Sequence, residues 1–440
     1  MQKSFYINTY GCQMNVADTE LVESILENEG YVKSDSLENT DLIFINTCSI
    51  REHAEEKVYS QLGRYEKLKR KNPKILIGVL GCMAQSLKHN LLISKSYVDV
   101  VLGPDSYRRL PELLKRSQND NESLVDTTLS RYEVYSDLFP SRKEGINAWI
   151  SIMRGCDKFC TFCIVPFTRG RERSRTKESI IFEAEQAVDK GFQEITLLGQ
   201  NVNSYNSGNY KFHNLLEELS KIKGLKRIRY TSPHPMDITD NLLSIMAQHD
   251  NICNYIHLPL QSGSDQILSR MNRNYTKGHF LKLVEKIRKF LPNAGISTDI
   301  IVGFPGENES DFDDTVDVMN EVMFDSAYTF KYSMRRGTKA IEYDDQIDEV
   351  TKQDRLEKII LLQRRHTYQN NCKDIGSVQK VLVEKESKLS SKQWAGRTDS
   401  NKWVIFDKGK AKINDIIKLK VTDARGITLR GEPVSYVEAA

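Results

Sequence analysis

Short apolar runs alternate with helical stretches all the way from Ser4 to Tyr332, and this alternation limits the fold more than any other feature of the chain. Runs too short for a core helix, such as Leu42 to Asn46 and Ile75 to Leu80, read as buried strands. Ser4 to Asn8 reads as a strand before them and Tyr97 to Leu102 as one after. Between them Leu21, Val22, Ile25 and Leu26 recur at helical spacing, and Gly30 stops that helix. A long charged helix runs up to Pro73, and another lies around Leu110 to Leu114. Strands separated by helices must pair in parallel, because a parallel crossover needs a connecting helix.

Apolar residues thin out from Ser117 to Asn147, so a linker is expected over 119–145 between an α/β domain at 1–118 and a second domain at 146–373. In the second domain strands are expected at Ala148–Met153, Glu194–Leu198, Arg227–Tyr230, Tyr255–Leu258, Ile296–Val302 and Ala327–Tyr332. Six strands with intervening helices suit a partial (β/α)6 barrel, whose active site forms at the strand C-termini. A helix over Lys352–Asn370 leads out of it. Beyond Asp374 the period falls to two: Ile417, Leu419 and Val421 alternate with polar residues, and glycines punctuate short strands. The span 374–440 therefore reads as a small OB-like β-barrel, and the chain as a whole as α/β.

At 440 residues the chain is too long for one core. Its formal net charge of +3 does not by itself point to nucleic acid, so any basic surface must be local. No stretch is long and apolar enough to span a bilayer, and Met1 to Tyr6 lacks the layout of a signal peptide. A cytoplasmic protein with no membrane contact is expected, in which the eight cysteines stay reduced and need another explanation than disulfides.

Cys156, Cys160 and Cys163 lie within one short loop after the first expected barrel strand. Thiolates this close can converge on one inorganic centre, and thiolate is the usual protein ligand of iron–sulfur clusters. A tetrahedral zinc would want a fourth Cys or His, yet the nearest are His213 and Cys253. Three ligands without a fourth suit a cubane with one open iron; three structural thiols, or zinc completed from afar, are the alternatives. Cys12, Cys48 and Cys82 share no local spacing, but each follows an expected strand of the first domain. In a parallel sheet those three loops emerge at one edge, where ligands bind. Gly11 and Gly81 precede two of them and would let the backbone approach a bulky centre. They could hold a second cluster or be three unrelated core residues. Cys253 and Cys372 stand alone and read as plain buried thiols.

Several segments together resemble one family: Tyr10-Gly11-Cys12-Gln13-Met14-Asn15, Asn46-Thr47-Cys48, Gly81-Cys82, Arg154-Gly155-Cys156 through Pro166, Thr168-Arg169-Gly170, Leu198 to Asn203, His257 to Gly263, and Gly396-Arg397-Thr398. The chain resembles the MiaB-type transfer RNA methylthiotransferases of the radical S-adenosylmethionine superfamily over essentially its whole length. A departure is Arg336, where relatives often have proline. The resemblance implies a methylthiotransferase N-terminal domain, a radical core and a C-terminal TRAM domain. It implies two 4Fe-4S clusters, on Cys12, Cys48 and Cys82 and on Cys156, Cys160 and Cys163. It also implies S-adenosylmethionine contacts from Phe162, Gln200, Asn201, Gly303 and Glu307.

The implied reaction places a methylthio group on carbon 2 of N6-isopentenyladenosine beside the anticodon. That aromatic C–H is beyond any side-chain base, so a carbon radical is needed. One cofactor molecule would methylate a sulfur at the first triad and a second would be split at the other. Arg169, Arg171, Arg173 and Arg175 form a basic run beyond the cysteine loop. Arg397, Lys402 and Trp403 pair cations with a ring, as single-stranded RNA binding requires. Transfer RNA, a low-potential donor such as flavodoxin or ferredoxin, and a monomeric state complete the expectation. The rival readings are methylthiolation of threonylcarbamoyladenosine or of a ribosomal-protein aspartate, and a non-enzymatic iron–sulfur RNA-binding protein.

Overall fold

The computed structural model describes residues 2–38, 40–48, 52–142 and 145–436. Lys143 and Glu144 of the expected linker, and the extreme ends of the 1–118 and 374–440 spans, lie outside the described residues. In the first domain strands β1 (Ser4–Tyr10), β2 (Val32–Lys33), β3 (Leu42–Thr47), β4 (Leu76–Gly81), β5 (Val100–Leu102) and β6 (Leu124–Asp126) form one parallel sheet in the order β2-β1-β3-β4-β5-β6. The strand order reverses between β1 and β3, which is where ligands settle in a doubly wound sheet. β3 and β4 are buried along their whole length, because helices cover both faces. Phe5, Phe44 and Leu80 pack on one face, and Ile43, Ile77 and Val79 on the other.

The expected linker is not wholly a linker. Leu124–Asp126 pairs with β5 and adds an edge strand, so the sheet extends past residue 118. Three residues in polar surroundings carry too little pattern to be read as a strand. The same segment also staples the domains: Arg142 donates through Nε to Glu20 (2.7 Å) and through Nη1 to Glu183 (2.8 Å).

The six barrel strands are present at Asn147–Ser151, Glu194–Leu198, Arg227–Tyr230, Tyr255–His257, Gly295–Val302 and Ser326–Lys331. They form two parallel three-stranded sheets, brought edge to edge by a bridge between Ile228 and Ile252. The outward core includes Ile195, Ile228, Ile256 and Ile300, packed under the surrounding helices. The helix Glu349–Lys373 leads into a closed five-stranded barrel, with strands from Val378 to Tyr436. Alternate residues Ile417, Leu419 and Val421 fill its centre, as their period of two requires. Arg229 ties this barrel to the core through Nη2 to the Thr398 carbonyl (2.7 Å).

Candidate functional site

Strand register places the first cysteine triad. Tyr10 pairs with Thr47 and Thr47 with Gly81, so three strand ends lie level at the C-terminal edge of the sheet. Cys12, Cys48 and Cys82 follow those ends directly. The Cys48 amide donates to the Tyr10 carbonyl (3.1 Å), joining two of the loops. Gly11 (φ +135°) has no room for a side chain: a Cβ there would lie 2.7 Å from the Cys48 Cβ. Gly81 (φ +88°) is equally confined, 2.4 Å from Asn46 Oδ1. Below the thiols, Asn15 Nδ2 donates to Asn46 Oδ1 (3.2 Å) and Asn46 Nδ2 to the Asn15 carbonyl (2.9 Å). This buried amide pair holds the two loops against each other. A hydrogen bond with the Cys48 thiol, helped by the Arg169 cation and opposed by burial, lowers Cys12 to about 6. Burial pushes Cys82 up.

The second triad lies on a loop after the first barrel strand. Gly155 (φ +80°) lets the chain turn where a Cβ would meet the Arg171 carbonyl at 2.0 Å. Its amide donates to Gln200 Oε1 (2.5 Å), and the Thr161 amide to the Met271 carbonyl (3.1 Å). Burial pushes Cys156 up to about 11 and Cys163 to about 12. Arg273 Nη1 donates to Cys160 Sγ (3.4 Å), while its Nη2 donates to the Pro259 carbonyl (3.1 Å). Sequence reasoning missed Arg273; its one signal was a cation in a polar Met-Asn-Arg-Asn turn. A cavity of about 390 Å³ opens beside the loop, lined by Phe159, Cys160, Cys163, Phe167, Arg270 and Lys339 among others.

The cofactor-contact candidates divide. Phe162 stays half-buried and meets Phe304 edge-on, with ring centroids 6.4 Å apart. Asn201 is buried and committed to Asp237 (2.8 Å) and the His234 amide (3.2 Å). Glu307 accepts from the Gly303 amide (2.8 Å) and from Arg355 Nη1 (2.8 Å), and burial pushes it up to about 7. Asn201 and Glu307 therefore brace the loops that follow the second and fifth barrel strands. Gln200 fixes the cysteine loop through Gly155. Gly303 (φ +68°) makes the turn after the fifth barrel strand.

The basic run needs a larger correction. Arg169 is 3% exposed and its Nη2 donates to Asp18 (2.8 Å); Arg173 donates to Asp105 (3.0 Å); Arg175 is paired with Glu183. Carboxylates from other elements bury all three, Arg169 and Arg173 across the boundary with the first domain and Arg175 within its own. Only Arg171 is exposed, paired with Asp157 (2.6 Å) over the Phe159 ring. In the small barrel Lys402 reaches back to Asp325 (3.1 Å) and Asp374 (2.7 Å), so it joins domains instead of facing outward. Arg397 pairs with Glu384 (2.6 Å) but still stacks on Trp403, which Lys385 covers as well (4.3 Å). Lys385 was missed because strand alternation hid its neighbour across the sheet.

Arg169 joins the two triads. It ends the helix Val165–Arg169, which follows Cys163 and packs against the helix starting at Cys82. Among the described residues no three His, Cys, Asp or Glu side chains gather closely enough for a single ion. The thiolates of an iron–sulfur cube bind different irons and need not do so. Donor chemistry, glycine cradles and a guanidinium beside each triad fit such a centre.

Family models match in three blocks: residues 4–103 as Uncharacterized protein family UPF0004, 150–319 as the Radical SAM superfamily, and 373–434 as the TRAM domain. The chain is 45% identical to the tRNA-2-methylthio-N(6)-dimethylallyladenosine synthase of Christiangramia forsetii, covering 98% of this chain and 94% of that one. The namesake proteins of Parabacteroides distasonis (46%; 98% and 96% covered) and Carboxydothermus hydrogenoformans (44%; 98% and 99%) are similar over the same extent. The chain belongs to the tRNA-2-methylthio-N(6)-dimethylallyladenosine synthase family. Among solved structures the family fold resembles the radical S-adenosylmethionine methyltransferase TsrM of Kitasatospora setae, with TM-score 0.57, 13% identity, and 78% and 77% of the chains covered. At that identity the likeness concerns the fold alone.

Proposed function

We propose that this chain is a radical S-adenosylmethionine methylthiotransferase that modifies carbon 2 of N6-isopentenyladenosine beside the anticodon of transfer RNA. The observation that carries this is the junction of the two cysteine triads. The helix that leaves the Cys156/Cys160/Cys163 loop ends on Arg169, against the Cys82 helix of the other triad. The family's full-length matches support the same reaction.

Cys156, Cys160 and Cys163 would hold one 4Fe-4S cluster, and Cys12, Cys48 and Cys82 the other. Bound there, the clusters and S-adenosylmethionine supply a carbon-centred radical and a transferable methylated sulfur. The chain's own work is to hold and to exclude. Gly11, Gly81 and Gly155 bring backbone close to the centres where a side chain would collide. Arg273 and Arg169 place fixed donors beside sulfur in a buried setting, where each bond gains from the low dielectric. Phe162 offers a ring edge toward the cofactor's side of the loop. Gln200, Asn201, Gly303 and Glu307 hold the barrel mouth in shape. The target base must leave its stack to reach this depth.

For RNA, Trp403 between Lys385 and Arg397 offers a ring flanked by cations, and Arg171 an exposed cation near the cysteine loop. The electron comes from a low-potential carrier of the flavodoxin or ferredoxin kind, and the enzyme works as a cytoplasmic monomer. No helix among the described residues is long and apolar enough to cross a membrane.

Mass spectrometry of transfer RNA nucleosides from a deletion strain tests the reading. Methylthio-isopentenyladenosine should vanish and isopentenyladenosine accumulate. An unchanged level sinks it.

A further inference from the structure

We propose that Arg169 is the positioning residue for the exchangeable sulfur at the Cys12/Cys48/Cys82 centre; this rests on the two-cluster reading above. Arg169 lies beyond the cysteine loop in sequence yet lodges in the other domain's site. Its Nη2 is held by Asp18 Oδ2 (2.8 Å), a carboxylate with no solvent exposure whose other oxygen is taken by Arg154. Its Nη1 is buried and meets no acceptor at hydrogen-bond geometry. The neighbouring arginines of the run differ. Arg173 and Arg175 lack a partner only at Nε, and their terminal nitrogens are satisfied. The helix that ends on Arg169 packs against the helix that starts at Cys82, and Cys82 and Cys12 both lie within the field of the guanidinium.

A buried donor without a partner is costly, and native structures rarely leave one unless a bound group satisfies it. The charges indicate what that group is. Two guanidiniums face the single carboxylate of Asp18, which leaves one positive charge over at the edge of the triad. That charge complements the thiolates of the centre, while the unpartnered N–H is left for an acceptor at the open iron, which in this chemistry is sulfide or a methylated thiolate. A fixed N–H aimed at such a sulfur would hold it in one orientation and favour its retention. Asp18 in turn keeps the planar guanidinium from rotating away, a role that lysine's single ammonium would fill less well.

The test uses the full chain with both clusters reconstituted anaerobically, and S-adenosylmethionine present to occupy the other open iron. Sodium sulfide is titrated and followed by EPR of the auxiliary centre. Iron content is measured first. Arg169→Gln with both clusters retained should bind sulfide about tenfold more weakly than the parent, and Arg169→Lys should show a smaller loss. Asp18→Asn, which keeps the guanidinium but loosens its anchor, should fall between the parent and Arg169→Gln. Parent-like affinity in the glutamine variant overturns the proposal. So does loss of the auxiliary cluster in both Arg169 variants, since the arginine would then be structural. A parent protein with only one cluster would instead sink the two-cluster reading.

Discussion

The two cysteine triads are assembled by opposite routes. Cys156, Cys160 and Cys163 stand on one loop, so chain connectivity alone keeps them together. Cys12, Cys48 and Cys82 come from three loops and meet only because β1, β3 and β4 end level. A local triad tolerates shifts in the surrounding sheet. A distributed one depends on register, where a slip of one residue turns every side chain to the other face. The distributed triad accordingly carries more backbone constraints, with glycines in positive φ before two of its three cysteines, where the local one has Gly155 alone, and an amide pair bracing the site.

The sharpest way to break this comparison is to remove each triad whole. Changing Cys156, Cys160 and Cys163 to alanine should abolish both 5′-deoxyadenosine formation and methylthiolation. Changing Cys12, Cys48 and Cys82 should abolish methylthiolation while cofactor cleavage, read by chromatography, stays within about threefold. Cleavage lost in both would mean that the first triad serves electron transfer.

Next in size is Gly81→Val. It forces a β-branched residue to φ +88° and into Asn46. Left-handed backbone alone costs about 1–2 kcal/mol. Iron per chain should drop by half while S-adenosylmethionine cleavage persists. A full iron complement would show that the distributed triad is less constrained than its register implies.

Arg273→Met probes the local triad. It removes the donor to Cys160 and should slow reductive cleavage about tenfold, since a hydrogen bond to a charged group contributes roughly 1.5–3 kcal/mol. An unchanged rate would place Arg273 in packing alone.

The smallest effect concerns Glu307, which braces the barrel mouth. Its folded value of about 7 lies above the ordinary 4.5, so the native state holds its proton more tightly than the unfolded chain does. Its contribution is present in full below about 4.5 and is lost as pH rises through about 7. Thermal melts at pH 5.5 and 8 should show the parent losing more stability than Glu307→Gln. Equal losses would put the site's pH response elsewhere.

Most elements were legible beforehand. The six barrel strands fall within a residue or two of their expected positions, because buried strands need unbroken apolar runs between turn signals. Leu124–Asp126 escaped because an edge strand needs little hydrophobicity. The arginine run was misjudged for a different reason. A cation's sequence neighbours say nothing about carboxylates arriving from another domain, and Asp18 and Asp105, which bury Arg169 and Arg173, lie far from them along the chain.

By itself the sequence determined the alternating α/β order, the small terminal barrel and the one-loop triad, since each depends on residues close together in the chain. Only the tertiary structure decided that three strand ends lie level, that Arg169 lodges on the first domain's Asp18, and that Arg173 and Lys402 tie domains together. Those outcomes depend on strand register and on burial beside distant charges, and no short stretch of sequence encodes either.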